Sequence, residues 1–246
     1  MLRVRSISDE AIVIGLMDFR EADRIVSLFT REHGRISGLA RGARKSVKRF
    51  GGSLELFARL SVNFAPGESL VSIRDVDAIT IYPGIRSSFE GIAHAGYACE
   101  LVSLLAPESL ANSRLFRLLT AYLDHLDKCP ATASGRHFFE INLLNILGYR
   151  PPLDSCAGCG SSLVPGGGYW SGCHEDGIYC RSCSGRGSFL AGSTVSLLLE
   201  SMKCGRFGLI TFDQGNVLEA EAFLEALITS NISRPLKSLA FLRLST

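Results

Sequence analysis

Residues 24–40 read Arg24-Ile-Val-Ser-Leu-Phe29, Thr30-Arg-Glu-His-Gly34, Arg35-Ile-Ser-Gly-Leu-Ala40. Two short runs rich in β-branched residues flank Glu32-His33-Gly34, a connection of hairpin length, so the stretch predicts a pair of antiparallel strands. Working outward, Ala11-Ile-Val-Ile-Gly-Leu16 supplies a strand before them. Leu54 to Phe64 alternates apolar and polar, Ala65-Pro66-Gly67-Glu68 turns the chain, and Leu70 to Ile81 returns as one more strand or two. Five or so strands with no long helix between them predict a small closed barrel, and an OB-fold fits the size.

Pro83-Gly84 marks a boundary at which the apolar period changes. Ser87-Ser-Phe-Glu90 resembles a capping box, and residues 88–105 place Phe89, Ile92, Ala93, Tyr97, Leu101 and Leu104 at helical intervals. Further helices are predicted from Ser113 to Lys128 and from Gly135 to Leu147, the latter stopped by Gly148-Tyr-Arg-Pro-Pro152. Late helices near 193–203, 217–229 and 235–243 are expected to pack against these three. The fold class is therefore α+β. Residues 1–82 form an OB-fold barrel, followed by an all-α domain in two parts, 83–152 and 191–246, with a module inserted at 153–190.

That insertion carries Cys156-Ala-Gly-Cys159 and, after a gap of twenty residues, Cys180-Arg-Ser-Cys183. Two residues between cysteines let both thiolates turn onto one cation, and a second knuckle completes a tetrahedron, the geometry of structural Zn²⁺. Gly158 and Gly160 give the backbone freedom to fold around the sulfurs. Two disulfides or four unrelated thiols are the bland alternatives, and Cys173 or His174 could replace one ligand. The segment is poor in large aliphatics, so metal would supply its missing organisation.

The chain has 246 residues, 46% hydrophobic and 20% charged, the composition of a folded globular protein. No apolar run is long enough to span a bilayer, and Met1-Leu-Arg-Val-Arg-Ser6 is unlike a secretory signal. Eight cysteines then point to a reducing, cytoplasmic compartment and to metal ligation, with Cys99, Cys129 and Cys204 as ordinary buried thiols. The net charge of +2 hides an asymmetry: residues 1–50 carry eleven Lys/Arg against six Asp/Glu. The excess peaks in Arg41-Gly-Ala-Arg44-Lys45-Ser-Val-Lys48-Arg49, five cations in nine residues.

Gly38 to Ser46 imitates a phosphate-binding loop, but Ala43 and Arg44 stand where Gly and Lys are required. Nucleophile-elbow and metalloprotease motifs do not occur, and four thiolates leave zinc no open position for a reactive water. An enzyme is not expected. The cations read better as a phosphate grip beside a barrel, since OB-folds bind single strands with basic loops and exposed aromatics. Phe50, beside Gly51-Gly52, is a candidate for an exposed stacking ring, though as the minority reading, while Phe57 and Phe64 are expected in the core.

Arg20-Glu-Ala-Asp-Arg-Ile-Val26, Thr30-Arg-Glu-His-Gly34 and Ala40-Arg-Gly-Ala-Arg-Lys45 together resemble the opening of the RecO family of bacterial recombination-repair proteins. The resemblance continues through Gly51-Gly-Ser-Leu-Glu55, Tyr97-Ala-Cys-Glu-Leu-Val102, Leu143-Leu-Asn-Ile-Leu-Gly-Tyr149 and the knuckles to Arg234-Pro-Leu-Lys-Ser238. It implies a non-catalytic, cytoplasmic, nucleoid-associated mediator that binds single- and double-stranded DNA and anneals complementary strands. Its implied partners are RecR and the C-terminal tail of single-strand-binding protein, with RecA loaded indirectly. It makes Arg41, Arg44, Lys45, Lys48 and Arg49 the DNA contacts, and Cys156, Cys159, Cys180 and Cys183 the zinc ligands. Cys173 departs from the expected pattern. The rival reading is a zinc-stabilised protein adaptor without direct DNA contact.

Overall fold

A computed structural model of the chain describes residues 6–50, 53–171, 177–184 and 186–244. It contains two compact units, residues 1–130 with 236–246, and residues 131–235.

The first unit opens with strands β1 (Ile7–Phe19), β2 (Asp23–Thr30) and β3 (Gly34–Ala40), a short helix α1 (Val47–Phe50), and strands β4 (Arg59–Ala65) and β5 (Val71–Thr80). The strands close in the order β1-β2-β3-β5-β4, with β3 and β5 parallel and every other pair antiparallel. Closure removes the sheet edges and encloses one core, in which Val13, Val26, Leu28, Leu60, Val62 and Ile73 pack together. Gly15 sits at a register shift in β1, where the long strand must bend to pair with both β2 and β4. The hairpin expected at Glu32-His33-Gly34 is closed by Thr30, whose hydroxyl accepts from the His33 N–H and donates to the Gly34 carbonyl.

One strand expectation and one burial expectation shift. Residues 54–58 lie outside the expected strand because Phe57 adopts φ 72°. The Phe57 N–H and Ala58 carbonyl still pair with Val13, so the strand proper starts at Arg59. Phe57 and Phe64 are buried as expected, but Phe50 is only 1% exposed and belongs to the barrel core. The fold therefore withdraws Phe50 from any stacking role.

Helices α2 (Pro83–Arg86), α3 (Phe89–Leu105) and α4 (Ser113–Lys128) follow, and α8 (Leu239–Leu244) joins this unit against α3. The expected capping box moves by one residue: Ser88 caps α3 by accepting from the Gly91 N–H, while the Ser87 hydroxyl closes α2 on the Gly84 carbonyl. Glu100 of α3 accepts from the Lys237 and Ser238 N–H groups, which holds the start of α8. Phe29 turns out of the barrel onto Phe116 of α4, ring centroids 6.0 Å apart.

The second unit comprises α5 (Ala133–Leu147), strands β6 (Gly168–Trp170) and β7 (Ser188–Leu190), α6 (Gly192–Lys203) and α7 (Gln214–Asn231). Thr132 caps α5, and Gly148 ends it in the left-handed region at φ 82°. Both α6 and α7 pack on α5. Cys99 is buried as expected, its thiol pushed up to about 12 by burial, but Cys129 is exposed at the C-terminal end of α4, and Cys204 is half-buried.

Candidate metal centre and cationic loop

Each knuckle is a tight turn. In the first, the Gly160 N–H donates to the Cys156 carbonyl; in the second, the Cys183 and Ser184 N–H groups donate to the Cys180 carbonyl. Backbone N–H groups of Cys180 and Gly158 also point at the Cys156 sulfur, at 3.2 and 3.3 Å. Those donors favour a thiolate: the Cys156 thiol is pulled down to about 6, first by the Cys180 N–H and then by those of Cys159 and Gly158. Cys183 is pushed up to about 12 by hydrogen bonds shared with Cys159, Cys180 and Cys156. A Cβ on Gly158 would stand 3.1 Å from both Cβ and Sγ of Cys183, so this glycine is what lets the second knuckle close over the first.

The four ligand sulfurs of Cys156, Cys159, Cys180 and Cys183 lie within 4.8 Å of one another. A Zn–S bond of about 2.3 Å in a tetrahedron sets the sulfurs about 3.8 Å apart. The Cys159 and Cys180 sulfurs are separated by 3.7 Å. The donor set therefore fits a tetrahedral, thiophilic cation: four soft ligands, two of them, Cys156 and Cys180, already inclined to ionise, and crowding that a divalent charge would relieve. Cys173 and His174 lie outside the described residues.

The cationic loop leaves β3 at Ala40 and is pinned rather than loose. Gly42, at φ 68°, directs its N–H to the Asp23 carboxylate at 2.8 Å, and the Arg44 N–H donates to the Ala22 carbonyl. The loop is thereby tied to the β1–β2 turn. Arg41, Arg44, Lys45 and Arg49 are all exposed, while the Lys48 side chain lies outside the described residues. They are not equally available. Arg49 folds back on the Arg41 carbonyl at 2.7 Å, and Arg44 reaches the Glu21 carbonyl and the edge of Asp18. Arg41 and Lys45 have no carboxylate partner among the described residues.

Beside the loop, Met17, Ile25 and Leu39 are register partners across β1, β2 and β3, and Met17 is 57% exposed. Two residues on from Met17 stands Phe19, half-buried, with the Arg20 guanidinium 5.1 Å from its ring centroid. Neither Phe19 nor Arg20 belongs to the cationic stretch 41–49; alternation along β1 is the sequence signal that places Phe19 on the face of Met17.

Comparison with known proteins covers both parts of the chain. The family described as "Recombination protein O N terminal" matches residues 4–82, and "Recombination protein O C terminal" matches residues 86–240. A protein named DNA repair protein RecO from Geobacter sulfurreducens is 50% identical over 95% of this chain and 96% of its own length. One of the same name from Geobacter metallireducens is 44% identical over 98% of each chain. A third, from an Anaeromyxobacter species, is 34% identical over 94% of this chain and 93% of its own.

Proposed function

The chain belongs to the RecO family of DNA repair proteins, and from that premise we propose that it acts as a non-catalytic recombination mediator that grips DNA through the cationic loop of its barrel. The observation that carries the reading is the pinned loop itself. It holds Arg41 and Lys45 exposed and without a carboxylate partner among the described residues, next to an uncovered strip of sheet. Such groups neutralise phosphates without reading sequence. Complementary strands held in turn repel each other less, and their base edges stay free to pair. Arg44, Lys48 and Arg49 complete the proposed contact set, with Arg20 and Phe19 at its margin in place of Phe50.

Single- and double-stranded DNA are the proposed ligands. RecR, the tail of single-strand-binding protein and, indirectly, RecA are the proposed partners, with action in the nucleoid-bearing cytoplasm. Among the described residues no helix is long and apolar enough to cross a membrane. Cys156, Cys159, Cys180 and Cys183 are proposed to hold Zn²⁺ as a structural ion, with no open position for chemistry. Domain roles follow the same proposal: residues 1–82 contact DNA, the helical parts 83–152 and 191–246 recruit proteins, and 153–190 is the zinc module.

Strand annealing tests the reading. The protein should pair complementary oligonucleotides, bare or coated with single-strand-binding protein, without any nucleotide. An Arg41→Glu/Lys45→Glu variant should anneal bare strands at least about tenfold more slowly, since two reversed charges turn phosphate attraction into repulsion. Bare strands that pair no faster with the protein than without it would favour the adaptor reading instead, and annealing unchanged in the variant would remove the loop as the DNA contact.

A further inference from the structure

Tyr169 stands in the middle of the small sheet in the second unit. On one side it is the register partner of Phe189 across β6 and β7, with ring centroids 5.1 Å apart. On the other it exchanges both backbone hydrogen bonds with Tyr179, at 2.8 and 2.9 Å. Residues directly opposed in an antiparallel pair project to the same face. Phe189, Tyr169 and Tyr179 therefore form one row of three rings across the sheet.

The neighbouring residues face the other way. Trp170 meets Phe223 of α7 edge-on at 5.3 Å, and Ile178 and Leu190 are fully buried. The row itself is open: Phe189 is 45% exposed, and Tyr169 and Tyr179 are half-buried. Its position depends on the cysteine knuckles, because the Tyr179 ring passes 3.4 Å from where a Cβ on Gly158 would be. Residues 177–190 contain two cations, Arg181 and Arg186, and no carboxylate. Both arginines are exposed and neither has an ion-pair partner among the described residues. Arg181 follows Tyr179 by two residues, and Arg186 precedes Phe189 by three, so each end of the row has a cation close by in the chain. Glu175 and Asp176, just upstream, lie outside the described residues.

We propose that this row is a stacking platform for the bases of single-stranded DNA, with Arg181 and Arg186 receiving its phosphates. Every base has a π-face, so stacking on aromatic rings binds single strands without sequence preference. A spacing of about 4.8 Å between neighbouring strands exceeds the roughly 3.4 Å rise of a stacked nucleotide, which suits a stretched single strand and not a duplex. The platform rests on the reading of this chain as a DNA-binding protein and adds a contact on a part of the chain other than the barrel loop.

The test uses the full-length, zinc-loaded protein and a thymidine oligonucleotide carrying 5-iododeoxyuridine. Irradiation should cross-link it to Tyr169, Tyr179 or Phe189, as mapped by mass spectrometry on the unaltered protein. Phe189→Leu and Tyr179→Leu variants that retain zinc and circular dichroism should each bind the single strand about tenfold more weakly. Their duplex affinity should hardly change. Arg181→Glu/Arg186→Glu should reduce the single-strand salt slope by about 1.4. Cross-links confined to residues 19–49, with Phe189→Leu binding as the unaltered protein does, would overturn the platform and leave the barrel reading intact. If Arg41→Glu/Lys45→Glu also bound like the unaltered protein and no cross-link formed anywhere, the platform and the barrel reading would fall together.

Discussion

Phe50 directly follows Arg49 in the cationic stretch, yet its ring lies in the barrel core with the Arg49 guanidinium 5.1 Å from its centroid. Phe50→Ala should therefore lower the stability of the barrel by about 3–5 kcal/mol in denaturant titration. A Phe50→Ala protein as stable as the parent would contradict its placement. A helix as short as α1 gives no apolar period, so its buried residue could not be told from a loop residue in the sequence. Cysteine spacing, in contrast, was enough to bring the four sulfurs together, because each knuckle is a local turn whose geometry is set by its own residues. Cys183 carries a second consequence. Its thiol is pushed up to about 12, so at neutral pH it must surrender a proton when metal binds. Zinc affinity should fall as pH falls, by about tenfold per unit for each proton displaced. Chelator competition at pH 8 and pH 6.5 measures this, and equal affinities would contradict it.

At the level of elements, the β2–β3 hairpin was legible because alternation, Thr30 and Gly34 agree. Gly34 also answers a demand from elsewhere in the chain. At φ 69° it has no room for a Cβ, which would stand 2.2 Å from the Leu110 carbonyl oxygen. Gly34→Ala should cost well over about 1 kcal/mol in thermal denaturation, since conformational strain and a backbone clash add. A neutral substitution would show that the hairpin and residue 110 are not in contact. Strands β6 and β7 were invisible in advance for the opposite reason. Each has three residues, too few for a period, and their pairing is held by the cysteine loops and by Trp170 packing on α7. The cationic loop was half legible. Its charges can be counted in the sequence, but not the folding back of Arg49 and Arg44 onto backbone carbonyls, which leaves Arg41 and Lys45 as the freest of the four described side chains.

Across the whole molecule, the four-cysteine segment, residues 153–190, is poor in large aliphatics, whereas the barrel closes around an apolar core. Removing metal with a chelator, or substituting Cys159→Ser, should raise amide exchange within residues 153–190 and leave strands β1 to β5 protected. Equal loss of protection in both would contradict the independence of the barrel. Cobalt substitution should give the absorption of four-thiolate coordination, and a spectrum of fewer thiolates would exclude the closed site. The claim on which the functional account stands is that the barrel's cations meet DNA. Fluorescence anisotropy of a labelled single-stranded oligonucleotide, titrated across a range of salt concentrations, tests it most directly. The barrel loop is expected to contribute between about −1.4 to the log–log slope, if only Arg41 and Lys45 engage phosphates, and about −3.5, if all five of its cations do, with about −1.4 more from Arg181 and Arg186. Arg41→Glu/Lys45→Glu should flatten it. Binding indifferent to salt, or a slope unchanged in that variant, would contradict the account.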